Sequence, residues 1–437
     1  MEEFMNISEF KRLYENYDPI RFEDNDIEVV NNAYKDINIY ELMELSEEVD
    51  LSLADAILDI EQLFLILKYC YSGYEFHNEI KDFNSIKKEI ITNIKKLNLD
   101  VISNLTLAEV ISKELKKYVN DGHLGLQAGN NYFKFIKLHL AYVTGVIVEE
   151  FGDSYRVIKG NKQLAVNSIL QKKSVEGKLL PTISVLSNNK CYLIGIHSDE
   201  KIKSINVDGI DLKTRLLHSY KYEYESPDYI LKFNEYDNYN TLKSKKYAIS
   251  ENYRDYLKQF NEMGAKSRNK KITIFDVAGN RGGWSAYPEE FIKGLNEYSH
   301  WKTDVAIIKN DVFKNAKNEK QYEIILNDAY DTSKGKYDGT LYVVMNKWTA
   351  SSGEAAVEYA KSCRNVIFVG SDTAGVGLFG DIRGYLLSRS KMVVLVSYKV
   401  FLEEGKDEGK GSLPDYWIDS KNPTRYLEKW LKHNNIV

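Results

Sequence analysis

Asn346-Lys-Trp-Thr-Ala-Ser-Ser-Gly-Glu354 follows an apolar run and opens an amphipathic one. A serine at such a strand-to-helix junction lies where backbone N–H groups lack partners and the helix dipole favours negative charge. Those properties suit a nucleophile whose reaction builds an oxyanion nearby, and Ser351 is the candidate. The plain alternative is a helix cap, a role that Thr349, Ser351 and Ser352 can all fill. A second stretch, Phe275-Asp-Val-Ala-Gly-Asn-Arg-Gly-Gly-Trp284, also follows an apolar run. Gly282 and Gly283 allow backbone conformations closed to other residues and let N–H groups face a ligand, as an oxyanion hole requires. An ordinary glycine turn is the alternative. The spacing gives neither a dinucleotide fingerprint nor a P-loop. A third stretch, Asn120-Asp-Gly-His123, is a turn signal that carries a histidine. The remaining histidines (His77, His139, His197, His218, His300 and His433) have no such setting. None pairs at metal-ligand spacing, so no zinc site is expected.

Three kinds of texture must position these residues. Up to about residue 120 the chain reads as helix. Ile57, Leu58, Ile60, Leu63, Phe64, Ile66 and Leu67 recur at three- and four-residue spacing. A second periodic stretch covers Ser85–Leu97. A third begins near Thr106, where Thr106-Leu-Ala-Glu109 resembles a capping box. From 124 to 225, short β-branched runs alternate with glycine, asparagine and lysine, predicting strands at Val143–Val148, Tyr155–Ile158, Thr182–Leu186 and Cys191–Ile196. A short helix is expected at Leu212–Ser219 and a loose connection over 226–245. Beyond 250, apolar strands at Ile272–Asp276, Thr303–Ile308, Leu341–Met345 and Val366–Val369 alternate with helices at Pro288–Tyr298 and Ser352–Ser362. That order implies a mainly parallel sheet covered on both faces. The expected organisation is therefore an N-terminal helical domain over 1–123, a β-rich module over 124–225 and an α/β core over 226–437.

Composition excludes several classes. Of 437 residues, 43% are hydrophobic and 28% charged, which fits a globular protein and no disordered or fibrous one. The net charge of −5 offers no basic field for nucleic acid or an anionic membrane. Three cysteines make no disulfide framework. No apolar run approaches the ~18 residues of a membrane-spanning helix. The opening MEEFMNISEF has no basic n-region and no apolar core, so a cytoplasmic location is the expectation.

Together these segments resemble the S41 peptidase family, the carboxyl-terminal processing and tricorn-type serine proteases. Asp276–Gly283 is similar to the family's DLRGNxGG element, with Ala278 where arginine is common. Thr349–Glu354 resembles its TASSGE nucleophile element, and Gly370-Ser-Asp-Thr-Ala-Gly375 its GExTxG turn. Gly384–Val396 is similar to the hairpin that follows, Gly411-Ser-Leu-Pro-Asp415 to GIxPD, and Asp121-Gly-His123 to an upstream DGH element.

The resemblance implies an α/β fold: a crotonase/ClpP-like catalytic core, the N-terminal helical domain and a β-rich, degenerate PDZ-like module. The PDZ likeness rests on Lys201–Asp211, and the carboxylate-binding loop of a full PDZ domain is not evident. The resemblance also implies a serine endopeptidase acting on peptide or unfolded protein, with no cofactor and no metal. Family members that use a catalytic lysine carry it in the turn after the nucleophile helix, where this chain has Val376. Valine cannot accept a proton, which leaves the Ser–His–acid arrangement. That arrangement would use Ser351, His123 and Glu408, with Asp415 and Asp372 as fallback acids. Gly282, Gly283 and Ser352 would supply the oxyanion hole, and Glu354 would orient the nucleophile helix. The alternative from another class is a catalytically inactive scaffold of the same fold that binds peptide. An acyl-CoA enzyme on a related core would not need Ser351 and His123 together.

Overall fold

The computed structural model describes residues 24–35, 37–217, 230–301, 303–308, 322–327, 331–402 and 406–437. The chain divides into two compact units, each assembled from three stretches. One comprises 1–137, 303–328 and 376–409, and the other 138–302, 329–375 and 410–437. These units cut across the consecutive domains expected at 1–123, 124–225 and 226–437, because strand pairing joins segments remote in sequence.

The first unit pairs helices with an antiparallel sheet. Leu53–Cys70 is helical from its Ser52 cap, whose hydroxyl accepts the Asp55 N–H, and it buries Ile60, Leu63, Phe64, Ile66 and Leu67. Leu58, expected on that face, is 47% exposed. Phe83–Lys96 starts at an Asp82 cap and buries Ile86, Ile90 and Ile94 one turn apart. The third helix, Asn104–Leu115, begins two residues before the expected Thr106, because the Ser103 side chain caps the Thr106 N–H. The sheet runs Tyr322–Ile325, Asp304–Ile308, Val393–Leu402, Asp121–Ala128, Asn131–Phe135, with Phe379–Leu386 also paired to Val393–Leu402. All these pairings are antiparallel. The run at 303–308 therefore lies in this sheet and not in the parallel one expected for it. Leu124, Leu126, Val394 and Val396 carry the sheet's apolar face into the helical core.

The second unit holds the parallel strands. Tyr239–Lys243, Ile272–Asp276, Thr340–Met345 and Val366–Gly370 lie side by side in parallel register. Burial on both faces explains their apolar runs. Phe275, Val343 and Met345 pack with Phe260, Phe291 and Val357 from three helices, Tyr253–Ser267, Ala286–Asn296 and Ser352–Ala360. Ile272, Ile274 and Val344 pack with Leu427 and Leu431 of the C-terminal helix Pro423–His433. Over 230–245 the loose connection is absent. Lys232–Glu235 and Tyr239–Lys243 form a hairpin there, and the buried Leu242 holds it to the core. Residues 226–229 lie outside the described residues.

The β-rich segment continues this sheet. Leu179–Thr182, Cys191–Ser198, Leu140–Phe151, Ser154–Lys159 and Ile169–Gln171 follow one another, and the strand Tyr416–Trp417 links them to Val366–Gly370. The junction is one residue pair, Trp417 with Thr182, plus a hydrogen bond from the Thr182 hydroxyl to the Trp417 carbonyl. Val146, Val148, Ile194, Ile205 and Leu212 make a core of their own. The helix expected at Leu212–Ser219 is absent over 212–217. Ser204–Val207 and Ile210–Lys213 form a hairpin instead. Asp208 and Gly209 turn it at φ 48° and 79°. Two successive positive φ values are what a tight I′ hairpin demands, and Asp-Gly supplies them. Residues 218 and 219 lie outside the described residues. Among the described residues no helix is long and apolar enough to cross a membrane.

Candidate functional site

In the second unit, Thr340–Met345 ends at Asn346 and the chain turns through 347–351 into the helix Ser352–Ala360. Buried side chains fix this turn. Asn346 Oδ1 accepts the N–H groups of Gly279 (2.9 Å) and Trp348 (3.0 Å). The Thr349 hydroxyl donates to the Val277 carbonyl at 2.9 Å. The Ala350 N–H donates to the Asn280 carbonyl at 2.9 Å. Ser351 is driven to φ 52°, ψ −122°, in the region that L side chains rarely occupy. It stands at the N-cap position, yet its side chain makes no cap hydrogen bond. The plain capping role is therefore not performed. A non-glycine residue held at such angles costs about 1–3 kcal/mol and marks a place where neighbours over-determine the backbone. The arrangement is a tight strand–turn–helix corner with Ser351 at its tip.

The glycine loop lies against this serine. A Cβ on Gly282 would sit 2.8 Å from Ser351 Cβ and 3.0 Å from the Ser352 nitrogen. Gly282 has φ 106° and Gly283 φ 123°. The Gly282 N–H, expected as an oxyanion donor, donates to Asn280 Oδ1 at 2.9 Å. Its contribution is thus the close approach that a missing Cβ permits between the loop and Ser351. Among the described residues, the N–H groups of Gly283 and Ser352 have no hydrogen-bond partner. The Ser352 hydroxyl donates to the Gly283 carbonyl at 2.6 Å, which clasps the loop to the first helical turn. Asp276 anchors the loop's start, accepting from Lys245 Nζ and the Ala278 N–H, each at 3.0 Å, and from the Thr424 hydroxyl at 2.8 Å. Burial would raise its carboxyl, but the Lys245 and Lys243 charges and the Thr424 bond hold it below the usual range. Glu354 accepts the Thr373 hydroxyl at 2.5 Å and the Gly375 N–H at 3.0 Å, tying the helix to the 373–375 turn.

In the first unit, Asp121–Ala128 is a strand from its first residue, not the expected turn. Asp121 pairs with Phe135 and Gly125 with Lys134, so Gly122, His123 and Leu124 bulge out of the ladder. Bulges re-aim side chains, and this one carries the histidine. Asp121 Oδ1 shapes it by accepting the N–H groups of His123 (2.6 Å) and Leu124 (3.2 Å), and Oδ2 accepts the Ser397 hydroxyl at 2.9 Å. Glu408 Oε1 accepts the Gly122 N–H at 2.9 Å. Its Oε2 accepts those of Leu378 at 2.9 Å and Gly377 at 3.3 Å. One ligand atom from each of Asp121, His123 and Glu408 lies within 4.8 Å of the others. The six donors that these two carboxylates receive are five backbone N–H groups and the Ser397 hydroxyl, so the carboxylates brace the bulge that presents His123. Burial lowers the His123 imidazole, against the opposing charges of Asp121 and Asp381. Val376 presses on the bulge: a Cβ on Gly122 would meet its Cγ1 at 2.6 Å.

The fallback acids are engaged elsewhere. Asp372 Oδ2 accepts from Lys347 Nζ at 3.0 Å and lies 3.0 Å from His197 Nε2. Asp415 Oδ2 accepts the Phe368 N–H at 2.7 Å. Sequence reasoning missed Asn280, Asn346 and Asn120, which hold the loops together. Asn120 Nδ2 donates to the Glu408 carbonyl at 2.6 Å, and its Oδ1 accepts the Lys137 N–H at 2.7 Å. Their signal was position, an asparagine beside each glycine or histidine motif.

Residues 232–418 match peptidase family S41. A solved structure from Parabacteroides merdae ATCC 43184 is 15% identical, with 87% of this chain and 93% of that one covered and a TM-score of 0.45. Mature CPAF is 12% identical over 88% of this chain and 98% of its own, at a TM-score of 0.48. The photosystem II D1 C-terminal processing protease is 13% identical over 84% and 94%, at 0.39. The search of curated proteins found no match.

Proposed function

From a chain whose residues 232–418 match peptidase family S41, we propose a serine-type peptidase that hydrolyses peptide or unfolded protein substrates. The observation that carries this reading is Ser351, held at φ 52° at the strand-to-helix turn and packed so closely by the glycine loop that a Cβ on Gly282 would sit 2.8 Å from its own Cβ. In the proposed reaction the Ser351 hydroxyl attacks the peptide carbonyl carbon while neutral His123 takes its proton. The C–N bond then breaks, His123 returns the proton to the leaving amine, and water hydrolyses the acyl-enzyme by the same route. Glu408 braces the bulge that presents His123, and its nearby negative charge compensates the imidazolium. The N–H groups of Gly283 and Ser352 stabilise the oxyanion, and losing one such donor costs about 2.7–4 kcal/mol. In this reading the parallel strands are the crotonase/ClpP-like core, and the β-rich segment is a degenerate PDZ-like module that positions peptide.

A fluorophosphonate probe tests the assignment. Labelling of the folded wild type that is lost in Ser351→Ala and strongly slowed in His123→Ala supports it. A folded wild type that takes no label and cleaves no unfolded protein supports the inactive peptide-binding scaffold, the reading that Val376 at the lysine position favours.

A further inference from the structure

A cavity of about 190 Å³ lies beside the turn that leads to Ser351. It is smaller than the roughly 300–1,000 Å³ of pockets for cofactor- or drug-sized ligands, and it suits a single side chain. Leu138, Leu140, Leu216 and Leu217 line it from the β-rich segment, and Trp348 lines it from the turn. Leu216 and Trp348 are 37% and 43% exposed, so large apolar side chains stand in water around a hollow. Backbone pairing fixes the leucines: Leu216 pairs with Tyr142, and the Leu217 N–H donates to the Ala141 carbonyl at 2.9 Å.

The cavity's charged residues cancel. Lys347 Nζ donates to Asp372 Oδ2 and to the Thr373 carbonyl, each at 3.0 Å. A charged side chain entering here would lose hydration without gaining an uncompensated partner, whereas an apolar one would bury surface. The cavity also adjoins the proposed chemistry. The Arg281 guanidinium lies over the Trp348 ring at 5.2 Å, and Arg281 immediately precedes Gly282.

We propose that this cavity receives an apolar side chain of the peptide, next to the bond that is cleaved. The inference rests on the peptidase reading for the word cleaved, but not for binding. Its test is therefore equilibrium binding to the Ser351→Ala protein. The probes are N-acetylated Ala-Ala-X-Ala-Ala peptides with X as Leu, Phe, Lys or Asp. The expected result is at least about tenfold tighter binding for Leu and Phe than for Lys and Asp, the scale set by burying a few methylenes. Leu216→Arg, at an exposed position, should shrink that gap below twofold and favour Asp. Trp348→Ala, a second variant outside the apolar core, should narrow it as well. Equal affinity for all four peptides, no binding of any, or a gap that survives Leu216→Arg overturns the proposal. Binding with this preference in a wild type that cleaves nothing would remove the peptidase reading alone. Cleavage without the preference would remove this inference alone.

Discussion

Glu408 Oε1 accepts the backbone N–H of Gly122, the residue before His123, at 2.9 Å. The proposed catalytic acid thus also holds the backbone that presents the proposed base. Its other oxygen accepts Gly377 and Leu378, so Glu408→Gln must turn an amide N–H toward a donor at one end. Stability should fall by about 1–3 kcal/mol, the cost of leaving a buried donor unpaired. The probe-labelling rate should drop at least about a hundredfold, as when a triad acid is replaced. Urea unfolding and labelling kinetics on one preparation check both, and a variant as stable as the wild type would contradict the first.

Gly122 and Val376 form a testable pair. A methyl at 122 would lie 2.6 Å from Val376 Cγ1, and overpacking of this kind costs about 1–3 kcal/mol. Gly122→Ala should destabilise the protein, and Val376→Ala introduced with it should recover most of the loss. A double-mutant cycle with no coupling would show that the valine is not what excludes the side chain.

Ser351 offers a trade between order and chemistry. Glycine tolerates φ 52°, ψ −122° without the Cβ penalty. Ser351→Gly should raise stability by about 1 kcal/mol while removing labelling, and Ser351→Ala should remove labelling without that gain. Melting temperatures of the two variants decide the point.

Two buried imidazoles set the response to acid. His123 and His77 are both held below the ordinary 6.5 chiefly by burial. His77 Nε2 accepts the Asn120 N–H at 3.2 Å, and its Nδ1 lies 2.8 Å from the Gly73 carbonyl, a pairing that fits the neutral ring. Below pH 6.5 the unfolded chain binds protons that the folded chain resists, so stability present above that pH is lost as pH falls toward the depressed values. Melting temperature should decline between pH 7 and 5, and less steeply in His77→Gln. With His123 as the proposed base, the acid limb of kcat/KM should have its midpoint below 6.5, because only the neutral ring can take the proton. A midpoint above 7 would argue against burial as its setting.

The motifs were legible because each is a backbone device with a narrow residue requirement. Gly282 must lack a side chain beside Ser351, and Glu354 must reach Thr373. The long periodic helices were legible for the usual reason that one face is buried. What local sequence hid was pairing at a distance. The run 304–308 has the same apolar texture as the parallel strands, and only its partner, Val393–Leu402, places it in the antiparallel sheet. Leu212 looked like the start of a helix because a single buried leucine has no period, and the Asp208-Gly209 turn was the stronger signal. Sequence left three acids open. Glu408 and Asp121 both lie in the cluster with His123, while Asp372 and Asp415 serve Lys347 and the Phe368 N–H, and Glu408 stays the proposed acid.

The single-pair joint between Trp417 and Thr182 has a mechanical corollary. One ladder pair holds little by itself, and side chains carry the joint instead: Trp417 packs with Ala141, Leu193 and Leu217, and Arg215 Nη2 donates to Asp419 Oδ1 and Oδ2 at 2.7 and 2.6 Å. Leu217, which lines the cavity, belongs to the same apolar cluster as Trp417, so the cavity wall is braced where the ladder is thinnest.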